Sequence, residues 1–147
     1  MGARERFAQT RKAVIELNQI LITIMYQGDD WKPDDVRAPG VSDPTASVAI
    51  RNVDEWPTKL TELRRRESEL KDFIGTTLAV ISAVRKGLGD EYADILDQRY
   101  IDCLEWRDVQ IDGKTVKRST GKMRVAVAFD WIDSIGISRL LRGDYEI

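Results

Sequence analysis

The feature that most constrains the fold of this 147-residue chain is a long periodic segment, Pro57 to Leu88. Written in heptads, it places mostly apolar residues at two positions in every seven, a 3.5-residue repeat typical of helical hairpins and coiled coils. Fully helical, the segment would be roughly 48 Å long, which is more than a small globular core covers. We therefore predict an all-α fold in which this helix packs against another helix, and we expect a homodimer formed through the long helices. One seam position holds Val53, Leu60, Glu67, Ile74, Ile81 and Leu88, and the other holds Trp56, Leu63, Leu70, Thr77 and Val84.

The segment that precedes the repeat predicts a first helix and a loop. From Ala3 to Gln27, apolar residues recur at helical spacing, and Gly28 is suited to the position just after the helix. Residues 28–41 contain two prolines, two glycines and four aspartates, which is the composition of a loop. The apolar residues of this helix are Phe7, Val14, Leu17, Leu21 and Ile24, and its C-terminal half, with Ile20, Ile22 and Met25 as well, is expected to be buried on more than one side.

Two prolines predict where the second helical region starts and where it is interrupted. Ser42-Asp43-Pro44 is a helix start, because a small polar residue precedes a proline in the first turn. Pro57 predicts a break near Glu55–Trp56, since proline cannot donate a backbone hydrogen bond. We divide the chain into a long-helix scaffold and dimerisation region, 1–88, and a small C-terminal domain, 89–147.

Opposite charges are concentrated in two consecutive segments of the C-terminal domain. Residues 89–112 carry eight carboxylates and two arginines, a charge of −6, and residues 113–129 carry five cations and no acid, a charge of +5. The whole chain is −2, so this cationic segment lies in an acidic protein. Its cations either neutralise the neighbouring carboxylates or bind an external anion such as the DNA backbone. They are Lys114, Lys117, Arg118, Lys122 and Arg124.

The stretch from Asp94 to Val109, DILDQRYIDCLEWRDV, resembles the opening of a sigma-factor region 4 helix-turn-helix. It resembles more closely the small phage transcriptional regulators of the ArpU/RinA kind, whose pattern is a helix ending in Arg-Tyr, a short turn and then a Trp. The resemblance implies a C-terminal helix-turn-helix that binds double-stranded DNA in the cytoplasm of a bacterial host, with RNA polymerase as a further partner. The matching residues are Ile95, Leu96, Arg99, Tyr100, Ile101, Asp102, Leu104, Trp106 and Val109.

In a helix-turn-helix, the N-terminal residues of the second helix meet base edges and neighbouring cations meet phosphates. Ser119 is suited to cap such a helix. We expect Ser119, Thr120, Lys122 and Arg124 in the DNA groove, with Lys114, Lys117 and Arg118 against the backbone and Arg107 as a weaker phosphate contact. The buried face of this helix is predicted to consist of Met123, Ala126, Phe129, Ile132 and Ile135, widened by Val127 and Trp131.

Residues 109–117 connect the two predicted helices, and their sequence is compatible with two alternative conformations. The resemblance favours a plain turn, and this is our prediction. However, Val-Gln-Ile-Asp-Gly-Lys-Thr-Val alternates apolar and polar residues around Asp112-Gly113, a strong signal for a β-hairpin. A hairpin would place Lys114 and Lys117 on an arm or wing.

The composition excludes several classes of function. The chain has no histidine and one cysteine, which removes histidine-based catalysis, the usual zinc sites and an internal disulfide. No glycine-rich phosphate loop is present, and the pair Asp130 and Asp133 is ordinary helix surface. We predict no enzyme activity, no cofactor, no metal and no membrane insertion. Two hypotheses remain: a DNA-binding phage or prophage transcriptional regulator, and a helical protein-interaction or adaptor module that does not read DNA.

Overall fold

The structure, a computed structural model, describes residues 1–26 and 43–144, with side chains described for 1–26 and 56–144. It confirms an all-α protein with one very small two-stranded sheet. Within the described ranges, no helix combines the length and the apolar composition that crossing a bilayer requires. The elements are α1 (Ala3–Ile24), α2 (Asp43–Gly87), α3 (Asp90–Leu96), a π-helical turn (Asp97–Ile101), a 3-10 turn (Trp106–Asp108), β1 (Gln110–Ile111), β2 (Lys114–Thr115), α4 (Arg118–Ile135) and α5 (Ile137–Leu141).

The second helical region is a single helix of 45 residues that begins at Asp43, as its proline signal predicts. The predicted break near Glu55–Trp56 is wrong, because α2 continues through Pro57. A proline removes one backbone hydrogen bond and bends a helix, but it ends the helix only where the following residues favour another conformation. The predicted loop 28–41 and the first-helix end at Gln27–Gly28 lie outside the described residues.

The two heptad seam positions of α2 are buried or half-buried at every residue whose side chain is described. The polar members of the seam are buried with hydrogen-bond partners. The Thr77 hydroxyl lies 2.7 Å from that of Thr10 on α1, and Glu67 accepts a hydrogen bond from Arg64 at 3.0 Å. The seam was therefore correctly predicted, including the positions where it is not apolar.

The chain forms two compact units, one containing Met1–Ile15 and Lys71–Ile147 and the other containing Glu16–Leu70. In the second unit, Arg66 of α2 donates to both carboxylate oxygens of Glu16 on α1. This arginine lowers the pKa of Glu16, because it hydrogen-bonds the ionised form. The two long helices thus pack together in this unit, as expected for a helical hairpin. The proposed division into 1–88 and 89–147 stays a prediction.

The core of the first unit joins α1 and α2 to the C-terminal helices. Phe7 of α1 packs edge-on against Tyr100 of the π-helical turn, with ring centroids 5.3 Å apart, and against Phe129 of α4 at 5.2 Å. Edge-to-face and tilted aromatic pairs are favourable beyond the area that they bury. The short helix α5 docks on this core through the buried Leu140.

The connection between α3 and α4 corrects the prediction of a plain turn. Residues 110–111 and 114–115 form an antiparallel β-hairpin, with Gln110 opposite Thr115. Asp112 and Gly113 both have positive φ, 53° and 78°, as the two-residue type I′ turn requires. A 3-10 turn and this hairpin separate the π-helical turn from α4, so the predicted helix-turn-helix arrangement is not confirmed.

The buried face of α4 also differs from the prediction. Met123 is 60% exposed, and Ala126 and Val127 are exposed as well. Ser119 does not cap the helix, because α4 already begins at Arg118 and its N-cap residue is Lys117. The face that packs on the core consists of Gly121, Val125, Ala128, Phe129, Ile132 and Ile135.

Candidate nucleic-acid interface

Trp106 sits against the first turns of α4, at a place where the helix surface has no side chain. A Cβ atom on Gly121 would lie 2.2 Å from Cζ3 of the indole, far inside van der Waals contact. Only glycine at this position lets the ring approach the helix backbone so closely. Trp106 therefore fixes the 3-10 turn against the N-terminal end of α4.

Arg99 covers the Trp106 indole from the π-helical turn. Its guanidinium carbon lies 4.6 Å from the ring centroid, a cation–π contact worth about 0.5–1 kcal/mol at a partly exposed site. Its Nη1 donates to the carbonyl of Leu104 at 2.7 Å. Arg99 is thus held by two contacts, and its charge lies beside the indole.

These residues form one side of an open groove, which we call the Trp106 groove. It has a volume of about 820 Å³. Four cations and one carboxylate line it, so the groove is strongly positive in a protein whose net charge is −2. Its lining residues are Arg99, Glu105, Trp106, Arg107, Val116, Arg118 and Lys122.

The two cations that α4 contributes to the Trp106 groove are exposed. Among the described residues, Arg118 and Lys122 form no ion pair, and they lie one helical turn apart. The first turn of α4 contains no acidic residue, and no side chain caps its backbone N–H groups. An anion is favoured there by the helix dipole and by the unpaired N–H donors. Ser119 in this turn is exposed and Thr120 is half-buried.

The hairpin next to α4 carries Lys114 on β2, and Lys117 follows it at the helix N-cap. Both lysines are exposed. The hairpin is fastened to the π-helical turn by the side chain of Gln98. Its amide donates to the Gln110 carbonyl at 2.7 Å and accepts from the Gln110 N–H at 2.8 Å. The hairpin therefore presents its lysines from a fixed position, as the wing alternative anticipated.

Arg124 has a different environment from the other predicted site residues. Its side chain is 27% exposed, and its Nη2 lies 3.2 Å from a carboxylate oxygen of Glu91 on α3. It does not line the Trp106 groove. Of the five cations in 113–129, this is the one whose ion pair with the acidic segment the structure shows.

The turn between the π-helical turn and Trp106 is shaped by Cys103, whose φ is +57°. Arg11 of α1 donates to the Cys103 carbonyl at 3.3 Å and lies 3.8 Å from the Glu105 carboxylate. A non-glycine residue in the left-handed region costs free energy, and the surrounding contacts maintain it. Arg11 thus helps to hold the irregular segment that places Trp106 in the groove.

The structure brings Arg118 and Lys122 together in one groove, and it places Lys114 and Lys117 on the adjoining hairpin and helix start. Sequence reasoning missed the contribution of Arg99, and it treated Arg107, whose exposed guanidinium lies 3.9 Å from the Asp108 carboxylate, as a secondary contact. Arg99 belongs to the Arg-Tyr pair of the resemblance, but nothing in the sequence indicates that it stacks on Trp106.

Comparisons with known proteins found no protein family, curated protein or solved structure that is significantly similar to this chain.

Proposed function

We propose that this protein is a DNA-binding transcriptional regulator of phage or prophage origin that contacts the duplex backbone through the Trp106 groove. Lys114 on the hairpin and Lys117 at the N-cap of α4 contact the flanking phosphates. The resemblance of 94–109 to the ArpU/RinA regulators supports this function, as does the positive groove. Its site of action is the cytoplasm of the bacterial host, where RNA polymerase is the expected protein partner.

One observation carries the proposal: most of the cations in 113–129 are exposed and available, although an acidic segment precedes them. Lys114, Lys117, Arg118 and Lys122 form no ion pair with any described carboxylate. If the basic segment served only to neutralise residues 89–112, these groups would pair as Arg124 does. Unpaired cations on one surface attract polyanions and release counterions from DNA when they bind.

The groove suits backbone binding better than base readout. The Arg99 guanidinium covers one face of the Trp106 indole, and the ring also packs closely against α4 at Gly121, which reduces the ring surface available for base stacking. Arginine and lysine at a helix start are typical phosphate contacts. Residues Ser119 and Thr120, at the start of α4, are the candidates for base contacts.

The decisive experiment is a fluorescence anisotropy titration of labelled duplex DNA against the full-length protein at several salt concentrations. Each phosphate contact changes log K by about 0.9 per unit of log salt. Replacing both Arg118 and Lys122 with Ala is expected to weaken binding and to reduce this slope by about 1.8.

The matched control replaces Lys59 and Arg65 with Ala. These residues are also one lysine and one arginine, exposed on a helix and without an ion pair among the described residues, but they lie in the second unit. If the groove variant and the control variant have the same slope as the original protein, the groove does not bind DNA and the proposal is wrong.

A second candidate function, protein interaction through the long helices, is favoured by the surface formed by the end of α1 and the two residues that follow it. Ile22, Met25 and Tyr26 are 50%, 51% and 68% exposed and lie at helical spacing on one face. Sequence analysis expected this end of α1 to be buried on more than one side, but only Ile20 and Ile24 are buried. Adjacent exposed apolar side chains mark interaction surfaces, and the expected homodimer would cover them.

A further inference from the structure

We infer that the DNA-binding surface continues beyond the Trp106 groove onto the first helix, where Arg4 contacts the phosphodiester backbone. This inference rests on the proposed function and extends its footprint. A second depression of about 340 Å³ lies beside the groove and shares Arg99, Trp106 and Lys122 with it. The two depressions therefore form one continuous surface. The second one is lined by Arg4, Arg99, Tyr100, Trp106, Lys122, Val125, Ala126 and Phe129.

The second depression is the more strongly positive of the two relative to its size. It is lined by three cations and by no carboxylate, whereas the Trp106 groove contains Glu105. Arg4 is exposed and has no ion pair or hydrogen bond among the described residues. An arginine that is free to reorient, next to a fixed arginine and a lysine, matches the charge of consecutive phosphates on one strand.

The first turn of α1 is fixed to α4, so Arg4 is presented from a rigid position. The backbone N–H of Ala3 donates to the Asp133 carboxylate at 2.8 Å, which also places a negative charge at the positive end of the helix dipole. One turn further on, Phe7 is completely buried against Tyr100 and Phe129. The conformational entropy lost when Arg4 binds DNA is therefore confined to its side chain.

Tyr100 also lines this depression, and its phenol is a neutral hydrogen-bond donor. Burial raises the pKa of its phenol, while Arg99, Arg4 and Arg11 act in the opposite direction. The phenol is therefore protonated at neutral pH. A phenol O–H beside two cations is well suited to a phosphate oxygen, which is an acceptor only.

The test uses the full-length protein and a short labelled duplex of mixed sequence, titrated at several salt concentrations. Arg4→Gln is expected to weaken binding severalfold and to reduce the slope of log K against log salt by about 0.9. Arg4→Lys keeps the charge and is expected to keep the slope. Arg65→Gln, an exposed and unpaired arginine on α2, is the control and is expected to change neither quantity.

The outcomes separate this inference from the proposed function. If Arg4→Gln leaves the slope unchanged while Arg118→Gln and Lys122→Gln reduce it, the extension onto α1 is wrong and the groove remains the DNA site. If none of the three reduces the slope, the proposed function itself fails. If Arg65→Gln reduces it as much as Arg4→Gln, binding follows net charge and not this surface, which also overturns the inference. Thermal unfolding by circular dichroism verifies that each variant is folded.

Discussion

Gly121 is the residue whose replacement most directly tests the packing beneath the groove. A Cβ here would lie 2.2 Å from Trp106, so Gly121→Ala forces the indole or the helix to move. Overpacking of this kind costs about 1–3 kcal/mol, and the better helix propensity of alanine offsets about 1 kcal/mol of it. We expect a net loss of stability in urea unfolding, together with altered tryptophan fluorescence.

Gly75→Ala is the control for this prediction. Gly75 also lies inside a helix, but a Cβ there would meet nothing within 4 Å. The alanine is therefore expected to stabilise the protein by about 1 kcal/mol. Equal stabilisation by both substitutions would show that Trp106 does not pack on Gly121.

Asp97 predicts a pH dependence of stability. Burial raises the pKa of this carboxyl group, as do Asp102 and Asp94, while Arg85 opposes the shift. A raised pKa in the folded state means that folding favours the protonated form, so stability falls as the pH rises through that pKa. Asp97→Asn removes this penalty and is expected to stabilise the protein at neutral pH.

The measurement for Asp97 is urea unfolding of Asp97→Asn and the original protein at a series of pH values. The difference in free energy of unfolding should shrink as the pH falls, because the carboxyl group becomes neutral like the amide. Asp130→Asn, an exposed aspartate of α4 with no ion pair among the described residues, serves as the control. A constant or widening difference at lower pH would contradict the prediction.

At the scale of elements, sequence predicted what depends on local patterns. The heptad repeat predicted α2 and its buried seam, including Glu67 and Thr77, because residues that recur every 3.5 positions lie along one face of a helix. Asp112-Gly113 was a local signal for the hairpin, because both residues tolerate positive φ, but the plain turn favoured by the resemblance was predicted and was wrong. The groove could not be predicted, because the π-helical turn and the left-handed Cys103 that bring Arg99 onto Trp106 have no pattern of their own. The ion pair between Arg124 and Glu91 could not be predicted from the local sequence either, since it joins two helices.

The hairpin depends on Gln98, whose side chain makes both hydrogen bonds to Gln110. Each such bond contributes about 1 kcal/mol net, less where water competes, so Gln98→Ala is expected to destabilise the protein by about 1 kcal/mol. The local effect should be larger. The Val116 N–H, which donates to the Val109 carbonyl at 3.0 Å, is expected to exchange faster with deuterium.

Gln9→Ala is the control for the hairpin prediction. Gln9 makes one long hydrogen bond of 3.4 Å to Glu5 on the exposed side of α1, so its loss should leave stability almost unchanged. Unchanged exchange at Val116 in Gln98→Ala would mean that the hairpin holds its position without this side chain.

The contact between α3 and α4 predicts a gain of function. Arg124 was expected in the DNA groove, but Glu91 holds it in an ion pair. If Arg124 contacts phosphate once it is released, Glu91→Gln is expected to raise DNA affinity severalfold while changing stability by less than about 1 kcal/mol. Glu62→Gln makes the same charge change on α2, at an exposed residue without an ion pair among those described. Anisotropy titrations measure the DNA affinity of the two variants. An equal gain in affinity from both would assign the effect to net charge instead of to Arg124.

At the scale of the whole molecule, two different surfaces lie in two different compact units. The cationic groove belongs to the unit that contains both the start of α1 and the C-terminal helices, and the exposed apolar residues of α1 belong to the other. A chain with a net charge of −2 binds DNA only where cations are concentrated, so the position of the groove matters more than the total charge. The two proposed functions can therefore be tested separately by substitutions in one unit.

The expected homodimer is tested by Ile22→Glu combined with Met25→Glu. Both side chains are about half exposed in the single chain, so their replacement should change its stability little, whereas charges would prevent two apolar faces from meeting. Sedimentation velocity is expected to show a dimer for the original protein and a monomer for the variant, with Ser82→Glu, at an exposed position of α2 in the first unit, as a dimeric control. A monomeric original protein at high concentration would contradict the dimer.

If a dimer forms and both copies contact one duplex, the slope of log K against log salt should be about half as large in the monomeric variant, because half of the phosphate contacts are lost. An unchanged slope would mean that each copy binds DNA independently and that the apolar face of α1 serves association alone.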